Sequence, residues 1–127
     1  RISSKVTISL DAKSEVILAR FNESLLQWAI ENIAKNAVDA MESKGALNLS
    51  IFQQEDEVII DITDTGKGIA PNKLKSVFQP GYSTKKRGWG LGLSLVKRII
   101  EDFHKGKVYV LKSELEVGTT FRVKIPV

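Results

Sequence analysis

Asn32, Asn36 and Asp39 stand at one-turn intervals in a stretch of helical apolar periodicity. On a helix, positions i, i+4 and i+7 share a face. Asparagine is a mediocre helix former because its side chain competes with the backbone for hydrogen bonds. Two of them one turn apart can present carbonyl oxygens to a hard cation such as Mg²⁺; the plainer alternative is a solvated polar face. A second group is Asp61-Ile62-Thr63-Asp64-Thr65-Gly66-Lys67-Gly68-Ile69, at the end of an apolar run. Glycines two apart after a strand let the backbone approach a flat or charged ligand, and Asp64 offers an acceptor for an exocyclic amine. A tight turn containing Asp would look the same. A third group holds Ser83, Thr84, Lys85, Lys86 and Arg87, followed by Gly88-Trp89-Gly90-Leu91-Gly92-Leu93. Hydroxyls, cations and alternate glycines leading into a helix start suit phosphate, which unpaired N–H groups and the helix dipole attract. The spacing is neither the P-loop nor the dinucleotide fingerprint. Gly118-Thr119-Thr120-Phe121 closes the series as a turn before a strand.

The elements that must carry these residues follow from periodicity. Val6, Ile8 and Leu10 alternate with polar residues, and 15–19 is a second β-friendly run. Asn22 is placed to cap a helix over 23–42, whose stripe is Leu26, Ile30, Ile33, Ala37 and Met41. Gly45 is the expected left-handed cap. Segments 46–53 and 57–63 read as a hairpin around Glu55-Asp56, Pro71 opens a short helix to about Val77, and 80–90 is a loop. A second amphipathic helix over 91–103 precedes strands at 107–112 and 119–127. Two or three helices on one face of a mixed sheet bury these stripes, which makes the class an α/β sandwich.

Composition narrows the partners. The 127 residues contain no cysteine, which excludes disulfides, thiolate zinc sites and cysteine nucleophiles. The longest apolar run is four residues (Val16–Ala19, Val108–Leu111), against about 20 for a membrane span. No signal leader is visible at Arg1, and the chain reads as one domain cut from something longer. The net charge of +4 is uneven: 65–100 carries eight basic residues and no acid, leaving 11 basic against 15 acidic elsewhere. The excess tracks the glycine-rich stretch, and no nucleic-acid-binding motif accompanies it.

Taken in order, N-x-x-x-N-A, D-x-G-x-G-I, F-x-P-G-Y-S-T-K-K, G-x-G-L-G-L and G-T-T-F resemble the catalytic and ATP-binding (GHKL/Bergerat) domain of sensor histidine kinases, over about 6–127. The resemblance implies a Bergerat two-layer sandwich with ATP between the long helix and a mobile lid formed by 78–92. It implies Mg²⁺ on Asn36 with Asn32 assisting, and adenine on Asp64. Gly66 and Gly68 would give clearance for the base, Ile69 would wall it, and Thr119 would support the water around it. Phosphates would fall to Gly88, Gly90, Leu91, Gly92 and Leu93, with Ser83 through Arg87 at the β/γ end. In the full protein the γ-phosphoryl group would pass to a histidine on a separate dimerisation domain, and from there to a response regulator. The domain itself would be cytoplasmic, without membrane contact, in a parent that could be anchored in the inner membrane.

Departures sharpen this. The family's hydrolases place a glutamate where this chain has Asn32; an amide cannot take a proton from water, so efficient hydrolysis is not expected. Glu31 is a candidate to approach the acceptor histidine, but lies about 100° round the helix and could instead pair with Lys35. Asp39-Ala40 replaces the Lys-Tyr or Lys-Phe of many members, and Trp89 is bulky where a small residue is common. His104 is expected to be a helix C-terminal residue favoured by the dipole, not a phosphoacceptor. Two other readings stay open: a GHKL serine kinase of the anti-sigma-factor type, and a non-catalytic ATP-dependent interaction module.

Overall fold

The computed structural model describes residues 6–12, 21–42, 44–80 and 92–127, the first of these by backbone alone. The elements are β1 (Val6–Ala12), α1 (Glu23–Ala40), β2 (Gly45–Gln54), β3 (Glu57–Asp64), α2 (Gly92–Lys97), β4 (Lys107–Glu114) and β5 (Gly118–Pro126). They form one five-stranded sheet in the order β1-β2-β3-β5-β4. β1 runs parallel to β2 and the other pairs are antiparallel, so the sheet is mixed, with α1 and α2 against one face.

Helix α1 begins where its cap chemistry places it. Asn22 is extended and its side chain accepts the Leu25 N–H at 2.9 Å, satisfying one of the orphan donors of the first turn. Ile33, Ala37 and Met41 of the expected stripe are buried, joined by Ala29, Ala34 and Val38, while Leu26 and Ile30 pack partly against the same core. The alanines let the helix lie close to the sheet, whose Leu47, Ile60, Ile62, Phe121 and Val123 belong to the same core. Burying a side chain such as Ile33 contributes about 1.5–3 kcal/mol. The helix ends at Ala40, two residues early, and its left-handed terminal residue is Glu42 (φ 53°), not Gly45. Gly45 instead opens β2 at φ 149°, where a Cβ would sit 2.6 Å from Thr65 Oγ1.

The β2–β3 hairpin turns at Glu55-Asp56 as its sequence suggests, with Glu55 at φ 56°. After β3 the expected short helix is replaced by two 3₁₀ turns, Pro71–Lys73 and Ser76–Phe78. Phe78 then enters the core edge-on to Phe121, with Lys97 over its ring. The second helix is α-helical only through Lys97 and continues as a π-helical turn, Arg98–Phe103. The expected strand at 15–19 lies outside the described residues.

The sheet's other face is covered by its own long side chains. Arg122 grips Asp61 through two 2.8 Å bonds and lies over Phe52, while Lys124 lies over Tyr109. The Asp61 partner raises the Arg122 pKa further. Ile59, between Phe52 and Lys124 in the register, is 2% exposed there.

Candidate functional site

The two helical asparagines use their amide groups in the same way. Asn32 donates Nδ2–H to the Trp28 carbonyl at 2.9 Å, and Asn36 donates to the Asn32 carbonyl at 3.3 Å. Each amide nitrogen is thus turned back along the helix. The Oδ1 atoms accept nothing from the described residues, and both side chains are half-buried. Asp39 and Glu31 are exposed. Glu31 accepts from Gln27 at 3.4 Å, and the anticipated pair with Lys35 is not among the ion pairs of the described residues.

The other wall starts at Asp64, the last residue of β3 and 4% exposed. Its carboxylate accepts the Gly66 N–H at 2.8 Å and the Thr119 N–H across the ladder. Burial raises its pKa above the ordinary 3.8, and the two N–H donors pull it partly back. A buried carboxylate held ready by backbone donors is an acceptor aimed at a ligand that donates.

Beyond Asp64 the chain is fastened at nearly every residue. Thr65 Oγ1 accepts the Ala46 N–H at 3.1 Å. The Lys67 N–H donates to the Ala40 carbonyl at 3.1 Å, and the Lys67 carbonyl accepts from Glu116 at 2.8 Å. Ile69 donates its N–H to Ser113 Oγ at 2.8 Å and packs on the core. A Cβ on Gly66 would meet the Ala40 backbone at 2.8 Å; one on Gly68, at φ 77°, would meet the Glu114 carbonyl oxygen at 2.3 Å. These glycines are therefore required by the approach of the loop to α1 and to the β4–β5 hairpin, whether or not a base also passes them.

Helix α2 closes the third side. A Cβ on Gly92 would lie 3.5 Å from Asn32 Oδ1, so the start of α2 faces the polar stripe of α1, and Leu93 packs on the core. The Asp64 loop meets α1 at Ala40 and α2 meets it at Asn32. These points are eight residues apart, about 12 Å along the axis, with Asn36 midway. The arrangement suits an elongated ligand, anchored by a donor at Asp64 and by anionic groups near Asn36 and Gly92. Ser83, Thr84, Lys85, Lys86, Arg87, Gly88, Gly90 and Leu91 lie outside the described residues.

The donor set also says what kind of metal fits. The described residues hold no cluster of three or more His, Cys, Asp or Glu. Two neutral amide oxygens suit a cation that arrives already carried by a ligand's own oxygens, as Mg²⁺ does with phosphates.

Two residues make contacts that the motifs do not show. Thr119 is buried, and its hydroxyl lies 2.7 Å from Ser113 Oγ; Ser113 appears in no sequence motif. His104 is at the helix end as expected, 8% exposed. The dipole is not the reason. Its Nδ1–H donates to the Ile99 carbonyl at 2.9 Å and its Nε2 accepts the Asn22 N–H at 3.0 Å. A ring nitrogen that accepts is unprotonated, so the neutral ring bridges the end of the second helix to the cap of α1.

Residues 21–127 match the family described as histidine kinase-, DNA gyrase B-, and HSP90-like ATPase. The sensor histidine kinase ZraS of Salmonella typhimurium is 39% identical over 94% of the chain, which spans 28% of that relative's length. Full-length ShkA in complex with AMPPNP is 30% identical, with a TM-score of 0.85 over 95% of this chain and 25% of its own. The catalytic domain of histidine kinase ThkA, at 24% identity, has the same fold, with a TM-score of 0.86 over 96% of this chain and 80% of its own. ThkA has also been solved in complex with the response regulator TrrA; there the TM-score is 0.81 at 23% identity, covering 95% of this chain and 34% of that one.

Proposed function

Because the chain belongs to the family of histidine kinase-, DNA gyrase B-, and HSP90-like ATPases, we propose that it is the ATP-binding domain of a longer sensor histidine kinase. In this reading it binds Mg·ATP and supplies the γ-phosphoryl group to a histidine on a separate dimerising helical domain, upstream of a response regulator. The observation that carries it is the convergence of Asp64, Asn36 and the Gly92 end of α2 along one side of α1. The similarity to named sensor kinases, of which the chain spans about a quarter, supports both the class and the need for a second domain.

Each residue has a task in this reading. Asp64 accepts the adenine amino group, with Thr119 beside it. Asn36, assisted by Asn32, would hold Mg²⁺, which when bound neutralises phosphate charge. The Gly90–Leu93 amides and the cations of 83–87 take the phosphates. Phosphoryl transfer depends mainly on positioning and charge neutralisation, which suits a site where Asn32 stands in place of the hydrolases' glutamate and cannot deprotonate water; Glu31, exposed and accepting from Gln27, is the candidate to approach the acceptor histidine. ATP is a cytoplasmic reactant, so the domain would act there. No helix of the described residues is long and apolar enough to cross a membrane; an inner-membrane anchor would belong to the rest of the parent.

The test is transfer in trans. The chain, a separately made acceptor-helix domain and γ-labelled ATP should yield acid-labile, base-stable label on the acceptor histidine. Acid-stable label on a partner serine would assign the chain to the serine kinases instead. Tight nucleotide binding with no transfer to any acceptor would favour an interaction module.

A further inference from the structure

Ser113 is carried to the site by an irregularity in β4. Val108 and Val110 face Val123 and Phe121 across the β4–β5 ladder, and all four lie on the helix side of the sheet. Strict alternation would bring Lys112 to that side, opposite Thr119. The register instead shifts between Val110 and Lys112, so that Lys112 pairs with Thr120 and Ser113 with Thr119. One extra residue in a strand re-aims the side chains that follow it. Lys112 is left exposed, and Ser113 is turned in, half-buried.

Once there, its hydroxyl meets three groups: the Ile69 N–H at 2.8 Å, Thr119 Oγ1 at 2.7 Å and the Gly118 carbonyl at 3.3 Å. A hydroxyl has one proton and two lone pairs. One assignment uses all three. Ile69 N–H and Thr119 O–H donate to Ser113, and Ser113 O–H donates to Gly118. Thr119 Oγ1 then keeps only lone pairs for anything else, and it stands in register beside the acceptor-only carboxylate of Asp64. That pair of side chains presents acceptors to the site. It fits the edge of a base bearing an exocyclic amine and rejects one bearing a carbonyl there, since facing acceptors leave buried polar groups unpaired.

We propose that Ser113 is a positioning residue that fixes the Thr119 hydroxyl as an acceptor and anchors the Ile69 amide, and so sets the preference for an amino-bearing over a carbonyl-bearing purine at Asp64. This rests on the nucleotide-binding reading above and deepens it. ATP and inosine triphosphate differ at that purine edge and make the direct probe. Titration calorimetry of the chain with each nucleotide and Mg²⁺ should show ATP favoured. In Ser113→Ala the Thr119 proton loses its acceptor and becomes free to donate into the site. ATP should then bind about fivefold more weakly, as for loss of one hydrogen bond, while inosine triphosphate changes less, so that the affinity ratio falls. Ser113→Thr, which keeps the hydroxyl, should restore the ratio. A merely structural serine would alter thermal stability and leave the ratio alone. Ser113→Cys, close in shape but a poor acceptor, gives the same measurement should the alanine variant not fold. An unchanged ratio in the variants overturns the inference, provided wild type binds ATP and Asp64→Asn does not. A wild type that fails to bind ATP, or an Asp64→Asn variant that binds it equally well, overturns the nucleotide reading and this inference with it.

Discussion

Gly66→Ala separates two reasons for a glycine that sequence alone would merge: room for a ligand, or room for the protein itself. In the structure an added methyl would sit 2.8 Å from the carbonyl carbon and oxygen of Ala40 and 2.9 Å from its Cβ. Ordinary contact begins near 3.4 Å, so the loop and the end of α1 would have to part by about 0.5 Å, and backbone atoms yield poorly. The same movement stretches the Lys67 N–H to Ala40 carbonyl bond, now 3.1 Å. Overpacking of this kind costs about 1–3 kcal/mol. For a chain of 127 residues the unfolding entropy makes 1 kcal/mol worth about 4 °C, so the melting midpoint without nucleotide should fall by about 4–12 °C. Differential scanning calorimetry of the nucleotide-free chain measures it. A midpoint within 1 °C of wild type, with weakened ATP binding, would refute the packing argument and assign Gly66 to ligand clearance alone.

Three further outcomes are expected. Asp64→Asn should abolish ATP binding yet stabilise the empty chain at neutral pH. Burial raises the Asp64 pKa, so its contribution is fully present below the ordinary carboxylate value and is lost as pH rises through the folded one. The melting difference, variant minus wild type, should therefore grow between pH 4 and 7; a difference independent of pH would count against it. Asn36→Ala should weaken Mg·ATP roughly tenfold, taking one ligand oxygen as about 1.4 kcal/mol, with little effect on ATP in EDTA; equal losses in both would exclude a metal role. His104→Ala removes the acceptor of the Asn22 N–H and one of the two donors to the Ile99 carbonyl, which keeps the residue 104 backbone N–H at 3.1 Å, and it empties a buried site, so urea denaturation should show a loss of about 2–3 kcal/mol. Where the variant remains folded, transfer of label to an added acceptor domain should not depend on His104 as a phosphate carrier.

The legible parts of this protein were those where one residue type answers one local demand. Asn22 at the cap, the apolar stripe of α1, and Glu55-Asp56 in the hairpin follow from local rules, and the structure repeats them. What escaped depends on partners distant in sequence. The bulge that turns Ser113 inward has no signature in Val108–Glu114, because alternation predicts Lys112 there. The π-helical turn lets His104 fold back on Ile99 while reaching Asn22, 82 residues away, and a helical wheel cannot show that. Gly45 resembles a cap because it follows the expected helix end at Glu42 by three residues, whereas the helix stops at Ala40 and Thr65 and Met41 are what exclude the glycine's Cβ. The site's motifs were visible as a group, but the reason for Gly66 and Gly68 was not: their neighbours are Ala40 and Glu114.

The way Asp64 is held shows how the fold divides its work. A carboxylate 4% exposed and supported by two backbone donors is a standing cost to the empty domain. The loop that follows would be expected to loosen around such a group, since local strain must be over-determined by its surroundings to persist. It is instead tied to three elements: to α1 through Lys67 and Ala40, to β2 through Thr65 and Ala46, and to the β4–β5 hairpin through Ile69, Lys67 and their partners Ser113 and Glu116. None of these ties uses the carboxylate, whose own bonds to the Gly66 and Thr119 N–H groups leave lone pairs for a ligand, so most of the hold on the wall comes from other groups. Removing a tie should therefore lower stability and affinity together, whereas replacing Asp64 should move them in opposite directions. That opposition distinguishes a residue kept for binding from residues kept for its support.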